Sequence, residues 1–215
     1  MYPLFQEISY NDPSIVFRMV AAQPGAILLE SAQKIAGFGR YSFVMANPWQ
    51  VLECRKGQAF LNNIGCTGSF FDILQQHLDL YRHPHLPTLP PFQGGVAGYL
   101  GYEAGHMLEN LPQAATDELD MPEAWFGFYD ALIAFDHEQD RAWIISTGFP
   151  ERQETARHQR AQLRLQWWQS LLQEMDTSLF QKTWSKEDIQ SDVNEQHYCA
   201  AVQRVIDYIY AGDIY

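Results

Sequence analysis

Residues 125–147 read WFGFYDALIAFDHEQDRAWIIST and carry the clearest strand pattern in the chain. Trp125 to Phe135 and Arg141 to Thr147 are rich in β-branched and aromatic residues, and the polar segment Asp136 to Asp140 separates them. Two such runs on either side of a short polar turn are typical of a β-hairpin. This stretch therefore predicts antiparallel strand pairing.

The first sixty residues contain further short strand patterns. Ala26 to Glu30, Tyr41 to Ala46 and Val51 to Arg55 are apolar runs of strand length. Pro24-Gly25 precedes the first run, and Asn47-Pro48 separates the second from the third, as turn residues do. We therefore expect the first sixty residues to form an antiparallel sheet.

Three segments have helical patterns. Ser69 is a suitable N-cap for a helix through Leu80, and the long segment from Arg152 to Met175 contains neither Gly nor Pro. A last helix is expected between the N-cap Asn194 and Gly212. The residues expected to face a core are Phe70, Leu74 and Leu78 in the first helix; Leu163, Trp167, Ser170 or Leu171, and Met175 in the second; and Tyr198, Val202, Val205 and Ile209 in the third. The predicted fold class is α+β, with antiparallel β-sheets packed against helices.

Composition excludes several classes of protein. The chain has 215 residues, 47% of them hydrophobic, which is enough for a packed core. Its 14 Lys and Arg against 26 Asp and Glu give a formal charge of -12, which disfavours binding to nucleic acid or to an anionic membrane. The sequence shows neither a signal peptide nor a membrane-spanning run, so a cytoplasmic protein is expected. Cys54, Cys66 and Cys199 are few and far apart, which indicates free thiols.

The residues alone reveal no catalytic centre. The glycines between Phe92 and Glu103 fit no phosphate-binding motif and lack a neighbouring lysine, so they are interpreted as strand glycines. His77, His83 and His85, and the acidic group Asp117 to Glu123, have no metal-ligand spacing. No pair of carboxylates and no nucleophile motif stands out. We assign no catalytic residue and no metal ligand from these patterns.

Three segments carry a family resemblance, and they occur in order across nearly the whole chain. The first is Leu28 to Ser31 (LLES), followed by Gly39 to Phe43 (GRYSF) and Asn47-Pro48; the second is Pro91 to Glu103 (PFQGGVAGYLGYE); the third is Tyr198 to Tyr215, ending in AGDIY. Together they resemble the component I family of chorismate-utilising synthases, which includes anthranilate synthase and aminodeoxychorismate synthase.

The resemblance is greater to one branch of that family. PPFQGGVAGYLGYE at 90–103 is followed by ENLP at 109–112 and by MPEAWFGFYDALIAFDH at 121–137. This succession is more similar to the aminodeoxychorismate branch than to the anthranilate branch. The resemblance implies the N-terminal part of the anthranilate synthase component I-like fold.

The resemblance also implies a reaction and partners. A family member of this branch takes chorismate, Mg²⁺ and ammonia from a glutamine amidotransferase, and makes 4-amino-4-deoxychorismate for folate and p-aminobenzoate synthesis. Its chorismate and magnesium ligands lie in a C-terminal chorismate-binding domain. By this reasoning residues 1–176 are the N-terminal domain, 177–192 a linker, and 193–215 the start of a truncated chorismate-binding domain. The chain alone is then expected to be inactive, with no catalytic residue and no Mg²⁺ ligand of its own.

The family resemblance further implies a tryptophan pocket in this part of the chain. Mapped by motif, Ser31 and the segment Phe38, Gly39, Arg40 and Tyr41 would line it. A hydroxyl and backbone amides can hold the polar end of an amino acid while aromatic side chains cover an indole. The alternative is that Ser31 is a simple cap and Arg40 a surface ion-pair partner.

Three other interpretations stay open at this stage. The chain could be a fragment of the anthranilate branch, which serves tryptophan synthesis. It could also be a stand-alone module that binds L-tryptophan without doing chemistry. A third alternative is a degraded gene remnant, for which exposed strand edges and aggregation are expected.

Overall fold

The computed structural model describes residues 1–33, 37–109, 119–174, 191 and 193–214. By its internal contacts the chain divides into two units, Met1–Thr177 and Ser178–Tyr215. The predicted linker at 177–192 falls almost wholly outside the described residues, as do Met175, the ENLP residues after Glu109, and the acidic residues Asp117 and Glu118. The domain boundaries derived from the resemblance stay a prediction.

The described residues of the first unit form ten strands in two antiparallel five-stranded sheets. The strands are β1 Leu4–Ile8, β2 Ile27–Leu29, β3 Tyr41–Met45, β4 Gln50–Arg55, β5 Gln58–Leu61, β6 Ile64–Gly65, β7 Gly95–Leu100, β8 Ala124–Tyr129, β9 Ala131–Asp136 and β10 Arg141–Ser146. The first sheet has the order β1-β10-β9-β3-β2, and the second has the order β6-β5-β4-β8-β7. With the helices described below, the predicted α+β class is confirmed.

The chain passes between the two sheets at two points. β3 pairs with β9 in the first sheet, whereas β4 pairs with β8 in the second, so the chain changes sheet between Met45 and Gln50. The second change is at Asp130, between β8 and β9. The hairpin is confirmed for β9 and β10, with Arg141 opposite Asp136. Its first arm is shorter than predicted, because Trp125 to Tyr129 belong to β8 and pair with β4 and β7 in the second sheet. The single sheet expected for the first sixty residues is wrong, because these strands divide between two sheets.

The first sheet is buried on both faces. Val44, Ile133 and Ile144 belong to a core cluster on one face that also contains Trp168. Met45, Leu132 and Trp143 belong to the cluster on the other face, together with Leu89 from the Pro-rich connection. Every residue of β9 is buried, which explains why ALIAF is a continuous apolar run without polar alternation.

Three α-helices belong to the first unit: α1 Pro13–Val20, α2 Phe70–Leu80 and α3 Glu154–Gln173. A 3₁₀ helix at Tyr102–Met107 follows β7. The predicted N-cap of α2 is confirmed, since Ser69 Oγ accepts a hydrogen bond from the Asp72 amide at 3.1 Å. α1 and β1 were not predicted, because both are short and their apolar patterns are weak.

The expected inward faces of α2 and α3 are only partly correct. In α2, Phe70 and Ile73 are buried, whereas Leu78 is exposed. In α3, Leu163 is 64% exposed, and the buried side chains are Arg157, Ala161 and Trp168. The predicted Trp167 and Leu171 are partly buried against the core. The buried face of α3 also carries an arginine, which the hydropathy pattern did not predict.

The described part of the second unit is a single helix, α4 Glu195–Ala211. Asn194 caps it by accepting a hydrogen bond from the His197 amide at 2.9 Å, and Gly212 ends it in the left-handed conformation at φ +80°. Both predicted ends are confirmed. The four apolar residues expected to face a core, Tyr198, Val202, Val205 and Ile209, lie exposed. Among the helices that the structure describes, none is long and apolar enough to cross a bilayer.

Candidate ligand site at the Ser31 strand end

Two of the predicted pocket residues, Gly39 and Tyr41, lie beside Ser31 at the end of a strand pair. β2 and β3 are antiparallel, with Leu29 opposite Phe43, so Ser31 follows the end of β2 where β3 begins. The Ser31 hydroxyl donates a hydrogen bond of 2.7 Å to the Tyr41 carbonyl. Gly39 also lies here, because a Cβ built on it would be 3.7 Å from the Ser31 Cβ.

The hydrogen bonds of Ser31 decide what it can offer a ligand. Its amide donates to Ser42 Oγ at 2.9 Å, and its hydroxyl hydrogen is used by Tyr41. The remaining capacity of Ser31 Oγ is its lone pairs, which accept hydrogen bonds. Ser31 is therefore suited to a donor such as an ammonium group. The Ser31 amide is not one of the backbone amides that could hold the polar end of an amino acid, because it already donates to Ser42.

Arg40 is held by a carboxylate from the β9–β10 hairpin. Its Nε donates to both oxygens of Asp136 at 3.0 Å, and its Nη2 donates to Oδ2 at 2.6 Å. Glu138 lies 3.3 Å from the same guanidinium. Burial raises the pKa of Asp136, but the Arg40 hydrogen bonds and two backbone amides outweigh it and hold that pKa below its ordinary value. Arg40 thus takes the ion-pair role that was its alternative interpretation.

We expect replacement of Arg40 by Ala to flatten the acid side of the pH–stability profile. A carboxyl with a lowered folded pKa contributes stability that is present above the unfolded pKa of about 4 and is lost as the pH falls through the folded pKa. Removing Arg40 removes the main group that lowers the Asp136 pKa. The measurement is urea unfolding at several pH values between about 2.5 and 6.

Asp136→Asn provides the matched background for this test. In the Asp136→Asn background, Arg40→Ala is expected not to change how the free energy of unfolding depends on pH, because the titrating carboxyl is absent. An equal change of slope in both backgrounds would contradict the assignment of Asp136 as the group responsible.

Phe38 and Gly39 shape the open side of the site. Phe38 is 76% exposed, so its ring is available to cover a ligand. Gly39 has φ +71°, and a Cβ there would lie 2.3 Å from the Gln33 carbonyl oxygen. Only glycine fits such a position without moving the backbone that leads from Ser31. The Tyr41 ring is covered by the Arg40 guanidinium at 4.9 Å.

A chain of partly buried hydrogen bonds leads from Ser31 to Tyr10, and the sequence did not reveal it. Ser42 Oγ, which accepts from the Ser31 amide, is 2.7 Å from His137 Nε2. The other ring nitrogen, Nδ1, is 2.8 Å from the Tyr10 hydroxyl. The available signals were a serine inside an apolar strand and a histidine at the start of a turn. Neither signal names its partner, because these residues are separated by about 95 and 127 positions.

A second concavity lies on another part of the first unit. Its walls are mostly aromatic: Trp49, Tyr81, Phe128 and Phe149, joined by His77. Its volume is about 30 Å³. A single water needs roughly 10–15 Å³ measured in this way, so the space holds one or two waters and is too small for an aromatic substrate. The cavity is therefore not a candidate substrate site.

The described residues do not form a magnesium site. Among them, no group of three or more His, Cys, Asp or Glu side chains is placed to hold a metal ion. The described residues therefore do not provide a ligand set that fits the Mg²⁺ implied by the family resemblance.

Comparison with known proteins shows which family the chain is similar to. The model of the chorismate binding enzyme family matches residues 25–215. An anthranilate synthase component 1 of Acetivibrio thermocellus is 26% identical over 94% of this chain and 44% of its own length. An aminodeoxychorismate synthase component 1 of Bacillus subtilis is 27% identical over 88% of this chain and 40% of its own length.

A solved structure has the same fold. Anthranilate synthase component I from Streptococcus pneumoniae superposes with a TM-score of 0.56 at 20% sequence identity, over 84% of this chain and 40% of that chain. The chain thus spans less than half the length of these three relatives. Because the family model covers most of its residues, the chain belongs to the family of chorismate-binding enzymes.

Proposed function

We propose that this chain is the N-terminal part of an aminodeoxychorismate synthase component I. In this proposal the whole protein replaces the ring hydroxyl of chorismate by an amine, with ammonia supplied by a glutamine amidotransferase, and so makes 4-amino-4-deoxychorismate for folate synthesis. The observation that carries the proposal is the family match over residues 25–215. The relatives' shared designation as component 1 supports a second, partner component.

The choice of branch rests on sequence. The segment PPFQGGVAGYLGYE at 90–103 has the form that is more similar to the aminodeoxychorismate branch. The overall identities give this choice no support, since they are 27% to the aminodeoxychorismate synthase component 1 of Bacillus subtilis but 32% to an anthranilate synthase component 1 of Thermus thermophilus, over 88% and 92% of this chain. Three free cysteines and an acidic composition support a cytoplasmic location.

Deletion of the gene in the organism that encodes it tests the branch. We expect the deletion strain to require p-aminobenzoate for growth and to recover when the gene is restored. A requirement for tryptophan that p-aminobenzoate does not relieve would assign the protein to the anthranilate branch instead. Growth without either supplement, in a strain with no second synthase gene, would contradict both assignments.

We further propose that the Ser31 site binds L-tryptophan. Ser31 Oγ presents lone pairs to the α-ammonium group, because its hydrogen is used by Tyr41. The exposed Phe38 ring is available to cover the indole, with Gly39 and Tyr41 beside Ser31. Arg40 contributes by fixing the start of β3 to Asp136 rather than by touching the ligand. This proposal does not require catalysis, so it also applies if the chain is a stand-alone module that binds tryptophan.

Gly39→Ala is expected to weaken L-tryptophan binding by about tenfold or more, while Gly37→Ala keeps it within about threefold. Both glycines have positive φ, +71° and +83°, so the conformational penalty of a Cβ applies to both. Of the two, Gly39 is the position where the added atom meets backbone, the Gln33 oxygen at 2.3 Å, whereas at Gly37 no atom of the described residues lies within 4 Å. Calorimetric titration with L-tryptophan measures the difference.

The unaltered chain is the reference for this pair. Absence of heat with L-tryptophan at millimolar concentration would remove the tryptophan proposal. Equal weakening by the two alanine variants would show that the approach of Gly39 to Gln33 does not shape the site.

A further inference from the structure

We infer that His137, acting through Ser42, is a positioning residue for Ser31, so that ligand binding at the Ser31 site depends on the protonation of His137. The inference rests on the proposed tryptophan site for its ligand, but its first test needs no ligand. It concerns residues from three separate parts of the chain that form one hydrogen-bonded row: Tyr10, His137, Ser42 and Ser31.

The geometry of the row leaves little freedom. The distances are 2.8 Å from Tyr10 Oη to His137 Nδ1, 2.7 Å from Nε2 to Ser42 Oγ, and 2.9 Å from Ser31 N to Ser42 Oγ. The backbone holds the two middle residues of the row in place. The His137 amide donates to the Arg40 carbonyl at 2.8 Å, and Ser42 lies opposite Phe135 in the β3–β9 pair. Ser42 is 0% exposed.

A neutral imidazole with its hydrogen on Nδ1 lets each donor between Ser31 and the Tyr10 oxygen find an acceptor. The Ser42 hydroxyl donates to Nε2 while its oxygen accepts from the Ser31 amide, and Nδ1–H donates to the Tyr10 oxygen. Protonation places hydrogens on both ring nitrogens. The Ser42 hydroxyl hydrogen must then turn away from the ring, and no water reaches it because Ser42 is fully buried. The Ser42 oxygen now accepts from both the ring and the Ser31 amide, and its bond to Ser31 weakens.

The effect passes directly to the ligand-facing atom. Ser31 uses its amide on Ser42 and its hydroxyl on Tyr41, so these two bonds orient Oγ. When the first bond weakens, the Oγ lone pairs lose their fixed direction. A histidine ring is the side chain whose ordinary titration falls near neutral pH, so the row converts a change of pH into a change at Ser31.

Several charged groups surround the row. Asp136 and Glu138 flank His137 in sequence, and both face the Arg40 guanidinium. Burial is the main reason why the Tyr10 pKa is raised. The negative charges of Asp140, Asp12 and Asp136 raise it further. Tyr10 thus stays a neutral hydroxyl over the range in which a histidine titrates. The carboxylates of this region form the electrostatic background in which His137 takes up its proton.

The first test follows the Ser31 amide by ¹⁵N–¹H NMR of the whole chain between about pH 5.5 and 8.5, where a histidine titrates. We expect the Ser31 amide resonance to shift along the same titration curve as the His137 ring. In Ser42→Ala the ring still titrates, but the Ser31 shift is lost. His77→Gln is the matched control, because the ring of that histidine bonds the Ile73 carbonyl in α2 and lies outside the row.

The second test is calorimetry with L-tryptophan at the two ends of the same pH range. We expect binding to be about fivefold weaker at the acid end in the unaltered chain and in His77→Gln. In His137→Gln, whose amide does not titrate, the two affinities are expected to agree within about twofold. A structural role alone would lower affinity at both pH values equally.

The outcomes separate the inference from the proposed function. A Ser31 amide that stays unmoved while His137 titrates would overturn the inference, whatever the ligand does. A Ser31 amide that follows His137, with no tryptophan binding at any pH, would uphold the positioning by His137 and remove the tryptophan proposal. Binding with the same pH dependence in His137→Gln as in the unaltered chain would again overturn the inference.

Discussion

Asp130→Asn is expected to lower the free energy of unfolding by about 3 kcal/mol. Asp130 is 0% exposed and lies where the chain passes from β8 to β9. Its two oxygens accept from Arg160 Nε at 2.9 Å and from Arg164 Nε at 3.1 Å. An amide in its place leaves two arginines beside a site that no longer carries a negative charge.

The same cluster also holds the other passage between the sheets. Arg164 Nη2 donates to the carbonyls of Ala46 and Asn47 at 3.2 and 3.3 Å. Arginines of α3 thereby hydrogen-bond to the chain at both points where it changes sheet. Loss of Asp130 is expected to loosen β3–β4 as well as β8–β9, which hydrogen exchange of the strand amides would detect.

The comparison for Asp130→Asn is Glu7→Gln, which removes the carboxylate from an exposed pair. Glu7 accepts two hydrogen bonds from Arg141, and both side chains are close to half exposed. Exposed pairs contribute little, so this variant is expected to unfold at nearly the same urea concentration as the unaltered chain. Similar losses in the two variants would contradict the special role of the buried cluster.

Gly98→Ala is expected to destabilise the second sheet by about 2–3 kcal/mol or to prevent folding. Gly98 lies opposite Phe126 in the β7–β8 pair. A Cβ on Gly98 would be 1.9 Å from the Trp125 carbonyl oxygen and 2.8 Å from the Phe126 Cα. Both neighbours are backbone of a paired strand, so they cannot yield without breaking the ladder between β7 and β8.

Gly65→Ala is the matched control for this substitution, since it also lies in a strand of the second sheet. Its Cβ would approach only the end of the flexible Gln58 side chain, at 3.0 Å. Urea unfolding is expected to show little change for Gly65→Ala and a large loss for Gly98→Ala. If Gly98→Ala fails to fold and Gly65→Ala folds, the two variants are compared by the fraction of expressed protein that is insoluble. That fraction is expected to be larger for Gly98→Ala. Equal stability of the two variants would contradict the close approach at Gly98.

The strands were predictable from local patterns, but their distribution between sheets was not. The runs at β3, β4, β9 and β10 have the composition and length of strands, and all four are present. Which strand pairs with which depends on contacts between distant residues, such as Val44 opposite Ile133. Asp130 is a single polar residue in an apolar run, so the sequence gives no signal that it separates two sheets.

Helix α3 shows why hydropathy can assign the wrong face. Its buried side carries Arg157, and Arg160 and Arg164 reach the buried Asp130 from the same helix. A pattern that counts apolar residues treats arginines as solvent-facing, because arginine is rarely buried without a partner. The partner here lies about thirty positions earlier in the chain, and only the folded structure brings it close.

The residues of the candidate site come from the family resemblance, but their hydrogen-bond partners do not. The resemblance placed Ser31 and the segment Phe38 to Tyr41 together, and the structure brings Ser31, Gly39 and Tyr41 into contact distance. The functions of Arg40 and of the Ser31 amide depend on Asp136 and Ser42. Because Asp136 comes from a hairpin about 95 residues later, no local pattern could assign this ion pair.

The most direct test of the central claim is the product that the protein forms from chorismate. The protein would be purified from the cells that make it, at the length at which it occurs there, and its intact mass recorded. Chorismate, Mg²⁺ and ammonium would be added, and the product identified by chromatography and mass spectrometry. We expect 4-amino-4-deoxychorismate. Anthranilate would contradict the proposed branch, and unchanged chorismate with a protein of full family length would contradict the proposed function itself.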